Sequence, residues 1–111
     1  MSEGKELTEG GNRLDVEALR ALAESLERAL DQASSVVLIR HVPDVCTIYL
    51  GDPSGPQEEL RRIGRLPRAL ADEMLKLTSS GPNRVQIGGQ LYRFVRTFTQ
   101  VGESAAVVFS V

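Results

Sequence analysis

The side chains best equipped for chemistry in this chain are its arginines. Arg61, Arg62, Arg65 and Arg68 fall within eight residues, and Arg93 and Arg96 follow in the C-terminal third. A guanidinium is a planar fork of N–H donors that matches carboxylate or phosphate, so the cluster points to an anionic ligand or an acidic partner. A helix predicted to start at Pro67 adds partial positive charge at the same place. Arg93 and Arg96 lie three apart in a strand-like run and so fall on opposite faces of a sheet. Strand geometry alone cannot aim both at one ligand.

The remaining reactive residues form no catalytic set. There is no glycine-rich loop ending in Gly-Lys-Ser or Gly-Lys-Thr. The stretch from Gly51 to Gly55 lacks lysine and holds Pro53, with Pro56 just beyond, so it offers phosphate no row of backbone N–H groups. His41 is the single histidine, and Asp44 alone does not complete a metal site around it. Cys46 is the single cysteine and sits in an apolar run, which fits a buried thiol better than a nucleophile. Glu58-Glu59 and Asp72-Glu73 are adjacent in sequence and read as solvated surface. The expectation is a protein that is not an enzyme and uses neither metal nor cofactor.

Charge is unevenly distributed. Residues 1–60 carry 12 acids and 5 Lys/Arg, a net of −7, whereas residues 61–111 carry 3 acids and 8 Lys/Arg, a net of +5. The two halves neutralise one another, or the charges are simply solvated, or the second half meets an anionic partner. Nucleic acid fits poorly, because the isoelectric point is about 5.4 and only Tyr49 and Tyr92 offer stacking surface. The polar, acidic start lacks the apolar run of a signal peptide, and no stretch approaches the roughly 20 apolar residues of a membrane span. These features predict a cytoplasmic protein without membrane insertion.

The elements that must position the arginines can be read from periodicity. At 111 residues the chain makes one domain, residues 13–111, behind a polar tail of residues 1–12 expected to be disordered. Leu19, Leu22, Leu26, Leu30 and Ala33 share one helical face, with Asp15 as N-cap and an end near Ser34. Two short β-branched runs follow, residues 36–39 and 46–50, then a pronounced turn and a weaker strand over residues 59–63. The second helix carries Leu70, Met74 and Leu77 on its apolar stripe and stops before Ser79-Ser80-Gly81-Pro82.

Gly88-Gly89 sits between two β-prone runs and suits a two-residue turn. It pairs Ile87 with Gln90 and Val85 with Tyr92, and places Val85, Ile87, Tyr92 and Phe94 on one core face. The strand after this turn is read to Phe98, with a break over residues 99–104, and Val107, Phe109 and Val111 of the last strand are expected to join the core face. The whole reads as α+β: an antiparallel sheet of about five to six strands with two helices packed on it, closed by a C-terminal three-stranded meander.

Several of these residues carry a family resemblance over residues 35–111. Leu66-Pro67-Arg68-Ala69-Leu70 opens a helix, Val85-Gln86-Ile87-Gly88-Gly89 leads into an arginine-bearing strand, and Arg93 stands nine residues before Gly102-Glu103 and a valine-rich strand. The pattern resembles the domain that precedes the ATPase core in type II secretion and type IV pilus assembly ATPases. Arg62-Ile63-Gly64-Arg65-Leu66 is similar to that family's Arg-Ile-Asp-Gly-x-Leu segment, without its aspartate. Ser35-Val36-Val37-Leu38-Ile39 stands where the family has Ser-Asp-Ile-His-Ile.

The resemblance implies a non-catalytic accessory domain that docks on a protein partner, such as a secretion or pilus ATPase or an inner-membrane assembly component. It also implies that Arg62 and Arg93 face nucleotide held by another subunit. Arg61, Arg62, Arg65, Arg68 and Arg93 are therefore the candidate anion- or partner-binding residues. The alternative is a small profilin-like or PAS-like scaffold or sensor that holds a small ligand or forms a homodimer through its first, leucine-rich helix.

Overall fold

The structure, a computed structural model, describes residues 10–42 and 44–111, with side chains from Arg13 onward except those of His41 and Val42. The order is α1 (Gly10–Asp31), β1 (Ser35–Val42), β2 (Val45–Gly51), a single 3-10 turn (Gln57–Glu59), β3 (Arg61–Pro67), α2 (Arg68–Lys76), β4 (Gly81–Ile87), β5 (Gln90–Val101) and β6 (Ser104–Ser110). The strands form one antiparallel sheet in the order β3-β2-β1-β6-β5-β4. The α+β class, the two helices packed on the sheet and the closing meander are as the periodicity predicts.

α1 begins at Gly10, so Asp15 lies inside the helix and is not its cap. Residues 1–9 of the expected tail lie outside the described residues. The buried stripe of α1 is Ala18, Leu22, Ser25, Leu26 and Ala29, centred on small residues that let the helix sit close to the sheet. Leu30 falls at the rim of that stripe and is 53% exposed. The helix stops earlier than Ser34 in a Schellman turn. Ser34 N–H donates to Ala29 O at 2.9 Å and Ala33 N–H to Leu30 O at 3.3 Å, with Ala33 held at φ +50°. Ala33 is thus a cap residue on the surface and not part of the apolar face.

The helices cover one face of the sheet. Leu22 and Leu26 of α1, Met74 and Ala71 of α2, and Val36, Ile48, Leu50, Phe94 and Phe109 from the strands make a single core. Phe94 and Phe109 meet edge to face, 5.5 Å between centroids and 71° apart in plane. Side chains such as Leu22 and Phe109, with no exposed surface, stabilise the fold by roughly 1.5–3 kcal/mol each. The predicted register of the β4–β5 hairpin is present, Ile87 opposite Gln90 and Val85 opposite Tyr92. Gly88 and Gly89 have φ of +59° and +83°, as this two-residue turn requires. Val111, expected in the core, is 44% exposed because pairing ends at Ser110.

Two strands run differently from expectation. β3 spans Arg61–Pro67 and passes through Gly64, while residues 57–59 form a turn. A register shift opposite Ile48 and Tyr49 accommodates the passage. β5 continues past Phe98 to Val101, since Thr99 and Gln100 still pair with Ala106 and Ala105.

No helix covers the second face among the described residues. Val37, Ile39, Val101 and Ala106 are nonetheless buried there, with Tyr49 and Leu60 against them. The segment of residues 52–60 folds under this end of the sheet. Gln57 comes so close to the turn at Gly102 (φ +62°) that an added Cβ would stand 2.9 Å from Gln57 Oε1. The β4–β5 end of the same face stays open: Leu91 and Val95 are each 41% exposed.

Candidate functional site: the open face of the sheet

Strand alternation decides where each arginine points. On β3, Arg62 lies opposite Tyr49 and Arg65 opposite Thr47, on the face without helices, whereas Arg61 lies opposite Leu50 on the helix side. Arg61 donates a hydrogen bond to the side-chain oxygen of Gln32, just beyond α1. Arg68 opens α2, where its Nε lies 3.5 Å from Asp72 Oδ2. The four arginines of residues 61–68 therefore divide, and only Arg62 and Arg65 share a surface.

Arg93 belongs to the same open face but to its far side. Four strand spacings, roughly 19 Å, separate β3 from β5, so Arg62 and Arg93 do not meet at one small ligand. The neighbour of Arg93 is Arg84 of β4, directly opposite it in register. Sequence reasoning passed over Arg84, although the turn at Gly88-Gly89 already implies the pair. All four arginines are exposed. Among the described residues, none of the four has an ion pair or a side-chain hydrogen bond. The six strands contain no aspartate or glutamate at all.

Among the described residues, no ion pair joins these four arginines to the acidic half. The carboxylates of α1 lie across the sheet, in the helix layer, and the ion pairs between described residues sit within α2, Arg68 with Asp72 and Lys76 with Glu73. Around Arg84 and Arg93 the surface dips into a groove of about 570 Å³ lined by Pro82, Asn83, Val95, Ser110 and Val111.

Arg96 has a structural role. Its Nη1 donates to the carbonyl oxygens of Leu75 (2.9 Å) and Thr78 (3.1 Å) and to Thr78 Oγ1 (2.8 Å), closing the C-terminal end of α2 where carbonyls lack helical partners. Its guanidinium carbon also stands 5.5 Å from the centroid of the Phe98 ring. Phe98 is 61% exposed and edges a half-open recess of about 280 Å³ with Leu38, Cys46, Leu75, Ala105 and Val107 on the helix side.

Cys46 is buried beneath that recess, and burial pushes its thiol above the ordinary range against the opposing pull of Arg40. The thiol is thereby held neutral. The His41 side chain lies outside the described residues. Among the described residues no three His, Cys, Asp or Glu side chains come together to hold a metal ion. No helix of the described residues is long and apolar enough to cross a membrane.

Where α1 meets α2, Asp15 hydrogen-bonds Glu73, and this carboxyl pair raises the Glu73 pKa, with desolvation and the Asp15 charge adding to the effect. Lys76, 3.7 Å away, opposes it. Of the α1 leucines, Leu22 and Leu26 are fully buried against the sheet, Leu19 is half-buried and Leu30 is exposed.

No family model, curated protein or solved structure matches this chain.

Proposed function

We propose that this chain is a non-catalytic docking module that sets the open face of its sheet against an acidic protein surface. One observation carries the reading: Arg62, Arg65, Arg84 and Arg93 stand exposed on one face, without an ion pair among the described residues, on strands that contain no carboxylate. Guanidinium groups left unpaired on a sheet surface are recognition groups for carboxylate, and they act by steering and register more than by raw affinity. The resemblance to the domain before the core of secretion and pilus ATPases makes such an ATPase, or an assembly component beside it, the partner class. No ATP turnover by the isolated chain is expected, because no phosphate-cradling loop is in the sequence.

The test is charge reversal on both sides of the face. Arg62→Glu/Arg65→Glu and Arg84→Glu/Arg93→Glu should each keep a cooperative melt. Each should lose partners captured from a lysate at low salt, and wild-type capture should weaken steeply as salt rises. Double variants that retain every partner would dismiss the reading.

A second reading, a PAS-like or profilin-like module holding a small ligand, is favoured by the recess beside Phe98 and Cys46. Native mass spectrometry of the chain purified from its source cells separates the two. A bound small molecule lost in Ala105→Trp supports ligand holding, and a bare chain mass counts against it.

A further inference from the structure

We infer that the β4–β5 end of the open face is a peptide site. Its occupant is an acidic segment of another protein in which a carboxylate is flanked by apolar side chains. The inference rests on the docking reading and assigns it a place and a partner chemistry.

Three features of the surface define the occupant. First, Arg84 and Arg93 are directly opposite each other on neighbouring antiparallel strands and point to the same side. Side chains so placed leave Cβ atoms about 4.5–5.5 Å apart, and like charges there repel. Side chains this long on neighbouring positions can both reach a single carboxylate, which would offset the repulsion and accept hydrogen bonds from both. Binding an anion is therefore favoured twice over, whereas a cationic or neutral partner leaves the repulsion in place.

Second, the arginine pair lies between apolar positions. Along β5 the open-face residues run Leu91, Arg93, Val95, and Pro82 of β4 pairs with Val95. Leu91, Val95 and Val111 are all more than two-fifths exposed. Successive same-face positions are about 6–7 Å apart in a strand. The surface thus alternates apolar, basic, apolar, and its complement is apolar, acidic, apolar at the same interval.

Third, the two arginines border a shallow, widely open groove of about 570 Å³ with Pro82, Val95 and Val111, along which an extended segment can lie. The other end of the face differs, because residues 52–60 lie under it and Glu58 lines the space beside Ile39 and Tyr49. There a carboxylate offsets part of the charge of Arg62 and Arg65, whereas no Asp or Glu lines the groove at β4–β5.

The experiment is selection of short random peptides displayed on phage against the whole chain. Wild type should enrich peptides that carry an Asp or Glu between apolar residues. For an enriched peptide, Arg84→Glu/Arg93→Glu should weaken binding about tenfold or more, while Arg62→Glu/Arg65→Glu changes it by no more than about twofold. Val95→Ser should weaken binding without altering its salt dependence. Selection without acidic enrichment, or with no enrichment at all, overturns the inference.

Equal loss in both double variants leaves docking on the face intact but refutes this location. Peptide binding lost in Arg84→Glu/Arg93→Glu while every lysate partner is retained does the reverse. Self-association of the wild type abolished by that same variant would place a second copy on this surface and overturn the assignment.

Discussion

Arg84→Glu should make the fold more stable while it destroys the surface. In the wild type two positive charges face one another across β4 and β5. The substitution removes a like-charge contact and installs an opposite-charge one, and each change is worth a few tenths of a kcal/mol to about 1 kcal/mol between cross-strand neighbours. Both side chains are exposed, so the sum is discounted to roughly 0.5–1 kcal/mol. For a domain of about this size that corresponds to a melting temperature higher by about 2–8 °C.

Arg62→Glu is the control. Arg62 faces Tyr49, no like-charge contact is relieved, and the change should stay within about 0.5 kcal/mol. Salt supplies the second check. At about 1 M the screening length is about 3 Å, shorter than the separation of the two side chains, so the advantage of Arg84→Glu should shrink markedly. Thermal melts followed by circular dichroism at low and high salt measure all of this. An Arg84→Glu protein that melts at or below the wild type, or whose advantage ignores salt, refutes the opposed-pair geometry on which the peptide site depends.

Phe94→Ala should cost roughly 3–5 kcal/mol in a denaturant titration, because Phe94 is only 3% exposed and loses its edge contact with Phe109. Phe98→Ala, four residues along the same strand face, should cost under about 1 kcal/mol, since most of that ring is already in water. Ala33→Gly should stabilise by about 0.5–1 kcal/mol, because Ala33 occupies a left-handed cap position that glycine adopts without strain. Glu73 has a folded pKa above its ordinary 4.5, so its contribution to stability is fully present below that value and is lost as pH rises through the raised one. Urea titrations across that window should show a decline that Glu73→Gln flattens, and an unchanged decline would rule out the pair with Asp15 as its source.

Much of the fold was legible because local rules and packing agree in it. Gly88-Gly89 fixes a turn, the turn fixes the pairing of Val85 with Tyr92, and alternation then sends Tyr92 and Phe94 to the helices. The errors fall where a tertiary contact outweighs the local signal. Gly64 looks like a strand end, yet β3 continues through it because β2 offers a pairing edge on both sides of the register shift. Thr99 and Gln100 look like a turn, yet β6 holds them in the ladder. In α1 the largest residues suggest a stripe centred on leucines. Close approach to the sheet favours Ala18, Ser25 and Ala29 at the centre, which moves Leu30 to the edge.

The arginines show the same tension in the site itself. Nearness in sequence suggested that Arg61, Arg62, Arg65 and Arg68 act together. A strand turns successive side chains to opposite faces, so the run is divided between the helix layer, the open face and the start of α2. Arg84 and Arg93 are nine residues apart and look unrelated, but the hairpin brings them side by side. A pairing of like charges weakens the hairpin, and within the sheet no carboxylate compensates for it. Both side chains are exposed, so solvent screens part of that repulsion, and the proposed anion between the two guanidinium groups would remove the rest.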